Sequence, residues 1–321
     1  MKLIGPAFAL VAVLLASAGC GMFDSGDSPR PTAPERATLR VGVADPIDTA
    51  PLRIAAVAGK FRQAGLNVEL VDLGTADGVA KLSAGEVDVT FASDVSLFHA
   101  AAGGTALQMQ GEAYTSSSNT IALVTLPGSD YAEPTAKKTP RIAVDNQTDI
   151  CALTARSVLA TAGVDPAKIR LQASPFSQMP QLLQAGQADA AVMMEPFITR
   201  AEKELGAQIL VDGSSGATLD FPSSGYASTG AFAAANPRTL AAFRRVLTQA
   251  QLAAADPAMV RDALPSFSDI DQTTAALISL GSYPTTLSAT RLQRVADLMH
   301  SSGLIPNRLD VQAMLPAANQ Q

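Results

Sequence analysis

Leu82-Ser83-Ala84-Gly85-Glu86-Val87-Asp88 returns later in the chain as Leu183-Gln184-Ala185-Gly186-Gln187-Ala188-Asp189. Both read L-x-A-G-x-x-D. Each copy follows a strand and, before it, a helix closed by Ala-Gly (Ala64-Gly65 and Ala162-Gly163). Each precedes an apolar strand and then a polar, acidic turn, Ser93-Asp94 in one copy and Glu195-Pro196 in the other. A glycine just past the last helical residue accepts the left-handed backbone that ends a helix. Two such units in the same internal order point to a duplicated lobe plan.

The rhythm around these motifs is that of an α/β chain. Strands are expected at 38–44, 67–73, 87–93 and 106–113, and helices at 50–64, 78–85 and 95–104. The pattern resumes with strands at 139–145, 168–174, 188–194 and 207–213 and helices at 150–163, 180–186 and 196–205. Strands alternating with helices call for a largely parallel sheet. The stretch 225–235 reads as strand-like. After it the chain turns helical. The helix over 238–256 carries Leu240, Phe243, Leu247 and Ala250 on one face, and further helices fall near 257–263, 270–280 and 288–301. An inserted lobe needs two crossings, and the polar stretches YTSSSN (114–119) and DFPSSG (220–225) are placed for them. Lobe 1 is therefore read as 38–115 plus 225–321, and lobe 2 as 116–224.

The head of the chain reads differently. Lys2 is followed by an apolar run that stops at Cys20 and gives way to Gly, Ser, Asp and Pro. A basic residue before about 15 apolar ones matches a secretory signal. A membrane span needs about 20 apolar residues, and Gly5-Pro6 shortens this run below that. Ser17-Ala18-Gly19-Cys20 resembles a bacterial lipobox, with Ser17 where Leu is usual, while Ala16-Ser17-Ala18 fits an ordinary A-x-A cleavage site. Residues 1–19 are read as a signal peptide and 20–37 as a lipidated Cys20 with a flexible, Pro-rich linker. Order is expected to begin near Thr38.

Composition excludes several classes of function. The formal charge is −6 over 321 residues, which argues against nucleic acid as a partner. Cys20 and Cys151 are the two cysteines, so export brings no disulfide framework. His99 and His300 are the two histidines. There is no C-x-x-C, H-E-x-x-H, G-x-S-x-G or phosphate-binding glycine loop. No metal, cofactor or catalytic site is expected.

Four stretches carry a resemblance to the solute-binding lipoproteins of ABC importers, in the group that includes nitrate, sulfonate, taurine and thiamine-precursor receptors. Ala50-Pro51-Leu52 with Ala58-Gly59-Lys60-Phe61 and Ala64-Gly65-Leu66 looks like the family's first helix. Leu82 to Asp88 looks like its L-x-x-G-x-x-D segment. Met194-Glu195-Pro196-Phe197 looks like its W-E-P turn, with Met in place of Trp. Residues 290–315 look like its closing helix and G-L-I segment. The resemblance covers nearly all of 38–316. It implies a two-lobed, type II periplasmic-binding-protein-like fold, with two hinge crossovers and a cleft that closes on a small molecule. It implies a monomer tethered by lipid to the outer face of the cell membrane beside an ABC permease and ATPase, doing no chemistry on its ligand.

In open α/β sheets ligands sit beyond the carboxyl ends of the strands. That rule places Asp45, Asp48 and Thr49, Ser93 and Asp94, Asn146, Thr148 and Asp149, and Glu195 in the cleft. Tyr114, Asn119 and Tyr226 join them from the crossings. Thr49, Asp94 and Asp149 also stand where helix N-caps belong. Phe176, Phe197 and Phe221 are candidate stacking partners, with Tyr114 and Tyr226. The turns carry acids and no Lys or Arg, because Arg53 and Arg156 fall inside helices. Carboxylates accept hydrogen bonds from amines, so the expected ligand is neutral or cationic and nitrogen-bearing, like an aminopyrimidine or thiamine precursor. The sulfonate, taurine or nitrate ligands of the same family are the alternative. Alternatives of another class are a pyrimidine-synthase-like enzyme, for which the His and Cys are too few, and a sensing lipoprotein.

Overall fold

Leu39, Val41 and Val43 alternate inward along the first strand, β1 (Thr38–Val43). The chain continues through α1 (Ala50–Val57), α2 (Lys60–Gln63), β2 (Asn67–Asp72), α3 (Gly78–Ser83), β3 (Val89–Ser93), α4 (Asp94–Ala102) and β4 (Leu107–Thr115). It crosses once and builds β5 (Ile121–Thr125), β6 (Arg141–Val144), α5 (Ile150–Thr161), β7 (Arg170–Ala173), α6 (Met179–Gln184), β8 (Ala190–Met194), α7 (Phe197–Leu205) and β9 (Gln208–Asp212). It returns through β10 (Pro222–Thr229) and ends in α8 (Gly230–Ala235), α9 (Pro237–Ala253), α10 (Pro257–Ala263), α11 (Gln272–Leu277) and α12 (Ala289–Ser301). This computed structural model describes residues 33–74 and 76–317. The signal peptide, Cys20 and most of the linker lie outside the described residues.

The strands form two five-stranded sheets of like order, β2-β1-β3-β10-β4 and β7-β6-β8-β5-β9. In each sheet one strand runs against the others, β10 in the first and β5 in the second. Both are the strands that follow a crossing. Helices α4, α5 and α12 share one buried cluster, with Phe98, Leu153 and Val295 among its members.

The repeated aspartate has the same task in each sheet. Asp88 stands just before β3 and accepts from the Arg40 backbone N–H on β1 at 2.8 Å and from Arg40 Nη2 at 2.7 Å. Asp189 stands just before β8 and accepts from the Arg141 N–H on β6 at 2.7 Å and from Arg141 Nη2 at 2.7 Å. Lys137 Nζ adds a further bond to Asp189 at 2.8 Å. Burial alone would raise the Asp189 carboxyl, but Arg141 and Lys137 outweigh it and hold it down at about 2.

Four local features differ from the sequence reading. The helix expected over 50–64 breaks at Gly59, whose φ of 69° is left-handed. The strand-like stretch 225–235 is strand only through Thr229, whose hydroxyl accepts from Phe232 N at 3.1 Å and starts α8. The strand β5 was not foreseen. Its residues, IALVT, are all buried and show no alternation to read. Finally, order begins before Thr38. The Glu35 carboxylate accepts from Arg238 N at 3.0 Å, Thr239 N at 2.7 Å and Thr239 Oγ1 at 2.8 Å. It caps α9 from a distance in sequence, where Asn236 makes no side-chain cap bond because its amide donates to the Phe232 carbonyl.

Two stability predictions follow from these contacts. Burial tends to raise the Glu35 carboxyl, but donors from Arg238 and Thr239 lower it to about 2. Its stabilisation is complete above the ordinary carboxylate range and fades as pH falls toward 2. Glu35→Ala is expected to cost about 1 kcal/mol at neutral pH, the usual worth of a helix cap, measured by thermal unfolding. Asp189→Ala is expected to cost more, about 2–3 kcal/mol, because charge-assisted bonds from Arg141 are lost; urea unfolding checks it.

Candidate functional site

The turns after β1, β3, β6 and β8 face one gap between the two sheets. The cleft there has a volume of about 320 Å³. Asp45, Asp48, Asp77, Asp145, Asp149 and Glu195 line it, with Ser93, Ser96, Ser223, Ser224 and Asn146, and the lining contains no described Lys, Arg or His. Phe91, Phe176, Met194 and Phe197 supply its apolar surface. Phe176 and Phe197 stack with centroids 5.0 Å apart. Among the described residues, no group of His, Cys, Asp and Glu is placed to hold a metal ion.

On the first lobe Asp48 is 5% exposed and takes one hydrogen bond, from Ser224 Oγ at 2.7 Å. Burial pushes its carboxyl up to about 8, helped by neighbouring Asp45 and opposed by Ser224. Asp45 is exposed at the rim and holds an unusual φ of 24°. Asp77 caps α3, accepting from Val79 N at 2.8 Å and Ala80 N at 3.2 Å.

On the second lobe Asp149 caps α5 by accepting from Ile150 N at 2.7 Å. The same oxygen accepts from Ser93 Oγ, across the cleft. Burial raises the Asp149 carboxyl to about 6, with Asp145 adding to the rise and Ser93 opposing it. Asp145 is raised by burial as well, and its Oδ1 is buried without a partner. Cys151 lies under it, fully buried, with its thiol pushed up by burial and by the Asp145 charge.

Several residues expected in the cleft do other work. Thr49 is buried, donates to the Ala44 and Asp45 carbonyls at 2.9 Å and makes no cap bond. Asp94 is the first residue of α4, and Ser93 is the cap, accepting from Ser96 N at 2.9 Å. Asp94 lies at 0% exposure with neither carboxylate oxygen bonded, and burial, then Glu112, push its carboxyl far up. Tyr114 is buried beside Tyr283 and its hydroxyl accepts from Gly281 N. Tyr226 packs edge-on against Phe91 and Phe243. Phe221 is buried in the shared cluster of the two lobes. Asn119, at φ 63°, donates its backbone N–H to Asp212 at 3.0 Å within the crossing. Thr148 is exposed and donates to Asn146 Oδ1, through N at 2.9 Å and Oγ1 at 3.0 Å. None of these seven side chains lines the cleft.

Glu195 does line the cleft, but both its oxygens are engaged. Oε1 accepts from Thr199 Oγ1 at 2.9 Å and from Ser279 N at 2.8 Å, and Oε2 accepts from Thr199 N at 3.1 Å. The sequence reading missed Asp77 and Phe91. A signal for Asp77 was present, since it directly precedes the helix beginning Gly78-Val79. Phe91 sits inside a strand and carried none.

The fold is shared with known binding proteins. The alkanesulfonate-binding protein SsuA of Xanthomonas axonopodis pv. citri, bound to MOPS, superimposes with a TM-score of 0.73 at 21% identity, covering 88% of this chain and 99% of that one. A ligand-binding component of an ABC-type import system from Staphylococcus aureus, with zinc bound, gives 0.74 at 14% identity, over 88% and 97% of the two chains. The nitrate-binding protein NrtA of Synechocystis PCC 6803 gives 0.69 at 15% identity, over 88% and 86%. No curated protein matches this sequence. These likenesses establish the periplasmic-binding-protein fold expected from the motifs. The NMT1-like family matches residues 32–265, most of the chain, and the protein belongs to that family.

Proposed function

We propose that this protein is an extracytoplasmic solute receptor of an ABC importer whose cleft takes a small, cationic or amino-bearing ligand. One observation carries the choice of ligand: six carboxylates line the cleft and no described cationic side chain does. An anion there would meet like charges, whereas an ammonium, amidinium or aminopyrimidine would supply donors to the carboxylate oxygens that have room for them, Asp145 Oδ1 above all. The stacked Phe176 and Phe197 offer a flat apolar wall for a ring or an organic cation. Capture comes from contacts that both lobes make with one solute. A permease and ATPase are the partners, and a lipid on Cys20 is the tether, both carried by the resemblance to importer lipoproteins.

The named ligands of two fold neighbours favour a second reading, a sulfonate or nitrate receptor. Calorimetry separates the two. An aminopyrimidine, thiamine and putrescine are the probes for the first reading; taurine, an alkanesulfonate and nitrate are the probes for the second. Binding confined to the anions overturns the cationic reading. Asp48→Asn is expected to weaken binding of a cationic probe about tenfold, the worth of one charge-assisted hydrogen bond.

The cleft acids also set a pH dependence. Asp48 and Asp149 titrate near 8 and 6 in the folded protein, above the ordinary carboxylate range, because burial penalises their ionised forms. The folded state therefore holds protons that the unfolded chain has released. Stability of the ligand-free protein is expected to fall as pH rises from 5 to 8, by thermal unfolding. A cationic solute reverses the sign, because it favours the ionised acids. Its affinity is expected to rise over the same range with release of protons, measured by calorimetry in buffers of different ionisation enthalpy.

A further inference from the structure

Helix α7 starts directly behind the cleft residues Met194 and Glu195 and belongs to the second lobe. The segment it faces, 268–279, belongs to the first. Ile270, Ala275 and Ile278 of that segment are buried with Ile47, Ala50 and Tyr114, and Ser282 just beyond it pairs with Thr115 of β4.

Three side chains cross from the second lobe to this segment. Glu195 accepts from Ser279 N at 2.8 Å. Arg200 Nη2 donates to the Asp269 carbonyl at 3.0 Å and lies 3.1 Å from its carboxylate. Lys203 Nζ donates to Thr274 Oγ1 at 2.8 Å and sits 3.8 Å from the Asp271 carboxylate. Arg200 also lies over the Phe197 ring, 5.8 Å from its centroid, and that ring is part of the cleft wall.

We propose that Arg200 and Lys203 are positioning residues that latch the two lobes outside the solute cleft, beyond the Glu195 contact at its edge, and set the closed fraction of the protein. Neither lines the cleft, and both act through the distance between the lobes. The effect on affinity rests on the solute-receptor reading; the latch itself does not. The acids opposite Arg200 and Lys203 are wet, with the Asp269 side chain 82% and the Asp271 side chain 63% exposed. Pairs of that kind are individually weak and sensitive to salt. The latch therefore biases an equilibrium and leaves it reversible, as a receptor that must reopen requires.

The test reads the interlobe distance with no solute added, so a wrong ligand class leaves it untouched. Nitroxide labels are placed at the exposed positions Gln63→Cys and Gln184→Cys, one in each lobe. Cys20→Ser then leaves Cys151, which is buried, as the other thiol. Pulsed electron resonance on Arg200→Ala/Lys203→Ala is expected to show a longer-distance population at least about threefold larger, the scale of a small shift in a two-state balance. The exchange Arg200→Asp/Asp269→Arg, combined with intact Lys203, is expected to recover most of the shorter distance, which a structural defect would not do. For the unsubstituted latch, raising salt from about 0.05 M to about 1 M shortens the screening length to about 3 Å and is expected to lengthen the distance. An unchanged distribution in the folded double variant overturns the proposal. If that variant does not fold, a distance indifferent to salt in the unsubstituted latch overturns it.

Discussion

An aspartate at the foot of a strand, bound to the backbone N–H and the guanidinium of an arginine on the neighbouring strand, recurs in both lobes. Asp88 ties β3 to β1 through Arg40, and Asp189 ties β8 to β6 through Arg141. In a parallel pair the register at one end determines where the other end stops. The bonds at the amino ends therefore decide which residues emerge at the carboxyl ends. There the chain turns sharply, and the side chains that follow β1, β3, β6 and β8 meet in one cleft. The arginines remain partly exposed while the aspartates are nearly buried, so each carboxylate is satisfied by fixed donors and stays ionised.

The same logic explains what could be read from the letters. L-x-A-G-x-x-D was visible twice because the glycine that ends a helix and the aspartate that begins a strand are both required by local geometry. Gly85 and Gly186 hold left-handed φ values of 71° and 63°. Cleft residues at or just beyond a strand's carboxyl end, such as Asp48, Ser93, Asp149 and Glu195, were legible from strand order alone. Tyr226 was not, because it lies within β10 rather than beyond its end, where the sheet covers it with Phe243 of α9. Tyr114 was lost to the cleft for a related reason: Tyr283, contributed by the helical third, packs on it. Thr49 stood at a cap position by sequence, but its hydroxyl is spent on the Ala44 and Asp45 carbonyls. Side-chain competition of this kind has no signature in a one-dimensional pattern.

The cleft shows the opposite electrostatic arrangement to the two aspartate staples. Asp88 and Asp189 are each met by an arginine. Asp48, Asp145 and Asp149 have serine, thiol or backbone donors and no cation among the described lining residues. Behind them Asp94 is buried with neither oxygen bonded. Glu112, also buried, shows that this chain does supply a cation to an interior carboxylate where structure demands one, since Arg291 binds it. The cleft acids are thus not left unpaired by any general shortage of arginine. Burying several such groups costs stability, and the cost is offset only if protons or a positively charged solute meet them.

Closure ties these threads together. The cleft lies between the two sheets, so on the receptor reading its affinity for a solute depends on how often the lobes stand at the right distance. Ser93 and Asp149 join the lobes on the inner side, at the caps of α4 and α5, where the site itself is formed. Glu195 stands at the boundary, with one face toward the cleft and its oxygens bound to Thr199 and Ser279. Arg200 and Lys203 continue the contact outward along α7. The contact along α7 is a second tie between the lobes, and its exposed acids make it a weak one. The acidic turn after β8 thus both lines the cleft and bonds across to the 268–279 segment. On the proposed reading, the carboxylates left without protein cations are the groups that would meet a cationic solute.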